Sequence, residues 1–162
     1  MHNMNIAIKK SLTIHRYWQF IGAVFVASVL VNFIWELLQS PLYKGMQVNA
    51  RMFGHCFLAS LGDGVIVLFI YFLDWLIFRR RERLGPSARW RLAVMVSSGF
   101  VVAAIVEWIG VYALHRWSYN DLMPMLPVLG IGLIPILQMI ILPPVIFFIM
   151  EKWWLSKKDI KP

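Results

Sequence analysis

The chain has 162 residues, of which 60% are hydrophobic and 15% charged, with a mean hydropathy of +0.68. A soluble domain usually has about 25% charged and about 45–50% apolar residues, so the composition predicts a membrane protein. Disorder is excluded because it requires low hydrophobicity. A disulfide scaffold is excluded because Cys56 is the single cysteine. The net charge of +8 lies in clusters between apolar runs and not on a folded basic surface, so we expect no nucleic-acid partner.

Four apolar runs follow one another along the chain, each long enough to cross about 30 Å of hydrocarbon. They cover residues 18–38, 53–78, 92–114 and 127–150. Asn32 and Glu36 within the first run favour an uncleaved helix over a signal peptide. The prediction is one all-α domain over residues 1–162, a polytopic membrane protein with four transmembrane helices in an antiparallel bundle.

The basic residues predict the orientation of this bundle. Thirteen of the 16 Lys and Arg residues lie in the N-terminal tail, the central loop and the C-terminal tail. The positive-inside rule then places both termini in the cytoplasm of the cell inner (plasma) membrane. The central loop is predicted to turn at Gly85 and Pro86 and to contact anionic lipid head groups.

Polar and small residues form one stripe on each of the first three predicted helices, at about 100° per residue. The stripes are Ser28, Asn32, Glu36 and Gln39; His55, Ala59, Gly62 and Asp63; and Gly99, Ala103, Glu107 and Gly110. Such residues mark helix contacts in lipid, so we expect the three stripes to face one another. Asn32, Asp63 and Glu107 fall at a similar depth, with Gln138 of the fourth helix slightly deeper. A second polar layer, with Glu36, His55 and His115, is predicted nearer the outside.

The inner halves of the spans are almost wholly apolar, and Asp74 is an isolated exception near the cytoplasmic end. A cavity is therefore expected to open outward or sideways into the outer leaflet. Prolines 127, 135, 143 and 144 interrupt the fourth span, and the internal ones should free the carbonyls of Ile131 and Met139. This kink serves either helix packing or a cavity beside Gln138, and the sequence leaves both open.

Asp63 and Glu107 need compensation, because no Lys or Arg lies within the predicted spans and a charge in mid-membrane costs about 2.5–3.5 kcal/mol. Three options remain. The acids are protonated with hydrogen bonds from Asn32 or Gln138, they share a proton with each other, or they bind a cation.

His55 and His115 are the candidate metal ligands. A divalent metal held with Glu36 or Glu107 would suit zinc or iron, and a haem between the two histidines is a second option. The alternative is that both are solvated or capping residues at the interface. The spacing gives neither HxxxH nor HExxH.

The function predicted from these residues is binding of, or action on, a lipid or isoprenoid-like molecule in an outward-facing intramembrane acid, histidine and amide pocket. An acid beside aromatic rings suits a cationic intermediate, as in isomerisation or cyclisation. The predicted catalytic residues are Glu107, Asp63 and Glu36, and the predicted ligand-binding residues are Asn32, Gln39, Trp108, Tyr112 and Gln138.

Whether the protein is an enzyme stays open. The alternatives are a small oligomeric transporter or proton path, and a non-catalytic membrane assembly subunit. The expected partners are membrane lipids, a second copy of the chain or another membrane protein.

Three segments carry a resemblance to a known group of proteins. They are Asn32, Trp35, Glu36, Gln39, Pro41, Leu42 and Tyr43; Leu61, Gly62 and Asp63; and Arg116, Trp117, Tyr119, Met123 and Pro124, continuing to Gly132, Leu133, Pro135 and Gln138. The chain thereby resembles small uncharacterised bacterial four-helix membrane proteins, which implies the architecture and no activity. In architecture alone it is also similar to the four-helix sterol isomerase and sigma-2 receptor group, whose acids face an intramembrane pocket.

Overall fold

A computed structural model of the protein describes residues 2–78 and 88–156, with side chains from residue 15 onward, except that of residue 155. Over this part of the chain the helices are α1 (His2–Gln39), α2 (Ala50–Phe78), α3 (Ala88–Trp108) and α4 (Leu133–Ser156). All four are long and apolar enough to span a membrane. The all-α, multi-pass prediction is confirmed to that extent. The predicted basic turn at Gly85 and Pro86 lies outside the described residues, as do the lysines after residue 156.

The fourth span begins later than predicted. Residues 127–132 are not helical: β1 (Met125–Leu126) pairs antiparallel with β2 (Ile131–Gly132). The hairpin between them closes because Gly130 adopts a φ of +66°, which a residue with a side chain rarely adopts. Pro135 consequently falls in the first turn of α4, where its missing N–H removes no helical bond. The prediction that it interrupts a helix and frees the carbonyl of Ile131 is therefore wrong.

Prolines 143 and 144 do lie inside α4. Pro143 has no N–H to bond the carbonyl of Met139, and this carbonyl faces Gly99 of α3. A Cβ added to Gly99 would lie 2.0 Å from the Met139 oxygen. The predicted freed carbonyl of Met139 is thus used in close packing of α3 on α4.

α3 ends in an irregular manner that shapes the site described below. It continues as a five-residue π-helical turn, Ile109–Ala113, with a bond from the Leu114 N–H to the Ile109 carbonyl of 2.8 Å. His115 follows with a φ of 49°, and the Arg116 N–H closes the end on the carbonyl of Gly110 at 2.8 Å. The wide turn moves the chain off the helix axis and sends it back across the end of α3.

The connections between α1 and α2 and between α3 and α4 meet at one end of the bundle. The Lys44 N–H donates to the Ser118 carbonyl at 2.9 Å, and the Asn120 N–H donates to the Leu42 carbonyl at 3.0 Å. Tyr43 and Tyr119 form an isolated antiparallel bridge between these bonds. We call this end, formed by residues 40–49 and 114–132, the loop end.

Away from the loop end the bundle has an apolar core. Its buried members come from all four helices and are Phe20, Val24, Val67, Ile70, Tyr71, Met95, Leu142, Ile146 and Phe147. α1 and α2 approach closely beside it, because a Cβ on Gly64 would lie 2.9 Å from Cγ2 of Val29. Glycine at this position lets the two helices pack side by side.

The predicted contact stripes have different outcomes. On α3, Gly99, Ala103 and Glu107 are buried, as is Gly110 in the turn that follows, so this stripe is a packing face as predicted. On α2, His55 and Gly62 are exposed, and no atom lies within 4 Å of a Cβ placed on Gly62. The prediction that the whole α2 stripe packs inward is therefore wrong, since α2 turns its Cys56, Ser60 and Gly64 face inward instead.

Asp74 is not isolated, contrary to the prediction. α3 begins at Ala88, before the predicted residue 92, and so brings Arg91 to Asp74. The Arg91 guanidinium donates from Nε to Oδ1 at 3.2 Å and from Nη2 to Oδ2. Asp74 is fully buried and the guanidinium also lies over the Phe78 ring, 6.0 Å from its centroid. An ion pair therefore joins α2 and α3 far from the loop end.

Candidate functional site

The side-chain amide of Gln138 on α4 joins three helices. Its Nε2 lies 2.8 Å from Oδ1 of Asn32, 3.0 Å from Oδ2 of Asp63 and 3.4 Å from Oε1 of Glu36. Gln138 is 2% exposed and Asn32 is completely buried. Buried amides are stable only when their polar atoms are bonded, so this residue fixes the positions of α1 and α2 relative to α4.

α1 supplies one continuous run of hydrogen bonds along its polar stripe. Ser28 donates to the Val24 carbonyl at 2.7 Å, and Asn32 donates to the Ser28 carbonyl at 2.8 Å. Gln39 donates from Nε2 to Oε1 of Glu36 at 2.7 Å and to Oε1 of Gln138 at 3.2 Å. The helical spacing of these residues predicted this shared face.

The carboxyl groups of Glu36 and Asp63 meet at one buried amide. Oε1 of Glu36 and Oδ2 of Asp63 both accept from Nε2 of Gln138, at 3.4 and 3.0 Å. Two ionised carboxylates at one amide in an apolar bundle would repel each other, and such pairs favour sharing a proton. The proton sharing predicted between Asp63 and Glu107 stays a prediction, and Glu107 bonds a different set of donors.

Glu107 has its own set of donors. Its Oε2 accepts a bond from Nε1 of Trp117 at 3.2 Å and another from the hydroxyl of Tyr119. Both aromatic rings occupy places beside glycines. A Cβ on Gly110 would lie 2.1 Å from the Trp117 ring, and one on Gly132 would lie 3.0 Å from Cε1 of Tyr119.

The structure thus brings together five of the predicted site residues in one hydrogen-bonded set, which we call the amide–carboxyl cluster. Its members are Asn32, Glu36, Gln39, Asp63 and Gln138. Glu107, which is 7% exposed, bonds Trp117 and Tyr119 and is not counted in the cluster. Asp63 and Glu36 each keep part of their surface exposed. The cluster lies toward the loop end, since Gln39 ends α1 and Gln138 is in the second turn of α4.

Trp108 and Tyr112, predicted to bind a ligand, lie apart from the cluster. Both are about half exposed, at 52% and 45%, and their ring centroids are 5.9 Å apart. The Tyr112 hydroxyl donates to the Gly130 carbonyl at 2.7 Å. Tyr112 thus holds the hairpin against the end of α3, and a ligand-binding role for the two residues stays a prediction.

His55 and His115, the predicted metal ligands, are both exposed. Within residues 2–78 and 88–156, no three His, Cys, Asp or Glu side chains are grouped closely enough to hold a metal ion. The metal and haem sites stay predictions, because neither histidine belongs to such a group in that part of the chain.

Three bonding side chains were not among the predicted site residues. Trp35 donates from Nε1 to Oε1 of Gln39 at 3.2 Å, and its position four residues before Gln39 could have shown this. Trp117 and Tyr119 lie in a connecting segment. No helical period indicates which way such residues face, so their contacts with Glu107 could not be read from the sequence.

Amide, indole and phenol donors compensate the three acids, and in the described residues no basic side chain does so. The phenols are neutral donors. Burial, followed by the hydrogen bond to Glu107, raises the pKa of Tyr119 above its ordinary value. Burial, followed by repulsion from Glu107 and Glu36, raises the pKa of Tyr43. A site of this kind can hold and deliver a proton in an apolar environment.

The chain matches no protein-family model, no curated protein and no solved structure at a significant level.

Proposed function

We propose that this integral membrane protein binds a lipid or isoprenoid-like molecule at the amide–carboxyl cluster and donates a proton to it. The observation that carries the proposal is the meeting of two carboxyl groups, those of Glu36 and Asp63, at the buried Gln138 amide between helices of an apolar bundle, an arrangement that favours a proton shared by the pair. General acid catalysis needs such a proton on a fixed group within reach of the substrate. Gln138 and Gln39 supply the fixing bonds.

The proposed reaction is a proton-initiated rearrangement of a carbon–carbon double bond. The proton of the Glu36–Asp63 pair adds to one alkene carbon, which leaves a carbocation on the substrate and a second negative charge on the pair. Loss of a proton from a neighbouring carbon to Glu107 then gives the isomer. Return of that proton from Glu107 to the pair restores the protein, so no other reactant is consumed. The carboxylates, together with the rings of Trp117 and Tyr119, would stabilise the cation.

A lipid-soluble substrate suits the surroundings of the acids. The two acids keep part of their surface exposed, on helices whose outer faces are apolar. Gly62 precedes Asp63, is exposed, and has open space where a side chain would be. An acyl or isoprenoid chain in the bilayer could therefore approach Asp63 past Gly62 without displacing a side chain.

A proton path across the membrane is less well supported. Beyond the cluster the described residues form the apolar core of Phe20, Val24 and their neighbours. Asp74 is already paired with Arg91. Most described side chains between these two regions are apolar, which favours the lipid-binding proposal over a proton path.

The experiment compares purified wild-type protein with Asp63→Asn and with a control, Asp121→Asn, whose acid is exposed in the α3–α4 connection. Mass spectrometry of the lipids retained by each protein, and of total lipids from the producing cells, is the measurement. We expect wild type and control to retain a lipid and convert it, and Asp63→Asn to retain it unconverted. An identical lipid profile for all three proteins and for cells lacking the protein would contradict the proposal. Proton flux into liposomes that Asp63→Asn abolishes would favour the transporter alternative.

The orientation of the protein in the membrane is also part of this proposal. The charge distribution supports both termini in the cytoplasm of the inner membrane, so the loop end would face outward. Reporter fusions at the two termini and within residues 44–49 test this, and a cytoplasmic signal from the loop fusion would contradict it.

A further inference from the structure

We infer that Tyr119, with Trp117, is a positioning residue that fixes the orientation of the Glu107 carboxyl group. The inference rests on the proposed function for its chemical meaning, because Glu107 is the group proposed to accept a proton from the substrate. Its geometric content, a carboxyl group oriented by two aromatic donors from a connecting segment, can be tested without any substrate.

Tyr119 is held in place by its backbone. The segment from Ser118 to Asn120 is bonded on both sides of Tyr119 to residues 42 and 44, at 3.0 and 2.9 Å. The Asn120 side chain adds a bond to the Pro41 carbonyl at 2.6 Å. The Tyr119 ring also lies 5.6 Å from the Tyr43 ring. Four contacts therefore fix a residue that lies outside the membrane spans.

The rings of both donors fit into space that glycines leave open. Any side chain on Gly110 would overlap the Trp117 ring, since its Cβ would be 2.1 Å away, and one on Gly132 would press on Tyr119 at 3.0 Å. Gly110 lies in the π-helical turn and Gly132 in β2. The irregular end of α3 and the hairpin thus both serve to admit the two donors to Glu107.

Both donors act on one oxygen of Glu107. Two hydrogen bonds to Oε2 from different directions restrict rotation of the carboxyl group, and charge-assisted bonds of this kind are among the stronger ones in proteins. The titratable side chain that the structure shows in contact with Glu107 is Tyr119. The orientation of the Glu107 carboxyl group therefore depends on these two donors.

Infrared spectroscopy of the full-length protein in detergent tests this. The carboxyl bands of Glu107 are those lost in Glu107→Gln. In Tyr119→Phe we expect these bands to change frequency, because a hydroxyl donor is removed while the ring stays in place. Trp117→Phe should move the same bands by a smaller amount. Tyr17→Phe, which alters an exposed tyrosine near the start of the membrane-spanning part of α1, is the control and should leave them unchanged.

Replacing Tyr119 by 3-fluorotyrosine makes the test sharper. A fluorinated phenol is a stronger donor and the ring can flip to keep fluorine away from Gly132, so the bands should move in the direction opposite to that in Tyr119→Phe. If Tyr119 only stabilised the fold, the two variants would not be expected to move the bands in opposite directions. Bands that stay fixed in Tyr119→Phe, or that move the same way in both variants, would overturn the inference. Opposed shifts in a protein that retains and converts no lipid would leave the positioning role standing and contradict the proposed function alone.

Discussion

Replacing Gly99 by alanine tests the packing of α3 on α4, which holds Glu107 and Gln138 in place. The added Cβ would lie 2.0 Å from the Met139 carbonyl oxygen, whereas ordinary contact begins at 3.4 Å. The helices would therefore have to separate by about 1.4 Å at this point. Both sides of the contact are backbone, so a change of rotamer cannot relieve it.

The expected loss of stability follows from three terms. Overpacking costs about 1–3 kcal/mol, and loss of the close Cα–H contact with a carbonyl that Pro143 leaves without a helical donor costs about 0.5–1 kcal/mol. Alanine regains about 0.8–1.0 kcal/mol in helix propensity over glycine. The free energy of unfolding of Gly99→Ala should thus fall by about 0.5–3 kcal/mol.

Reversible unfolding in mixed detergent micelles, followed by circular dichroism, is the assay. Gly62→Ala is the matched control, because no atom lies within 4 Å of its new Cβ, and it should be as stable as wild type or slightly more stable. Equal stability of Gly99→Ala and Gly62→Ala would refute the reasoning, since it would mean that α3 and α4 do not approach at Gly99.

Three further predictions concern the polar groups. Arg91→Leu should lower the free energy of unfolding by about 3–5 kcal/mol, because it leaves buried Asp74 unpaired. Adding Asp74→Leu should restore most of this loss, and a double variant as unstable as Arg91→Leu would contradict the ion pair. Gln138→Leu should lower the free energy of unfolding by about 1–3 kcal/mol in the same assay, because the side-chain oxygens of Asn32 and Asp63 lose their donor. A variant as stable as wild type would show that the cluster does not join the helices. Tyr119 and Tyr43 have pKa values raised above the ordinary 10.0. Their contribution to stability is therefore complete below pH 10 and is lost as pH rises further, at up to about 1.4 kcal/mol per pH unit for each tyrosine. Ultraviolet titration of phenolate should show one late-ionising tyrosine fewer in Tyr119→Phe than in wild type, and identical titrations would contradict the partly buried, hydrogen-bonded position of Tyr119.

The composition and the helical period determined much of this protein. Four apolar runs predicted four helices able to span a membrane, because a chain in lipid must satisfy its backbone bonds within each segment. The spacing of Ser28, Asn32, Glu36 and Gln39 predicted their common face, and the burial of Gly99, Ala103 and Glu107 follows from the same period. These features are local, so neighbouring residues are sufficient to specify them.

Only the tertiary structure decided which side chains contact each other across different helices and loops. The sequence showed polar residues at similar depths, but not that Gln138 bonds Asn32, Glu36 and Asp63 together, because that depends on which helices are neighbours. It also gave no sign that Arg91 reaches Asp74, or that residues 127–132 leave the helix to form a hairpin at Gly130. Tyr119 meets Glu107 through a turn, a bridge between two loops and the space beside two glycines. No sequence period records such contacts, because they exist only once the helices have packed.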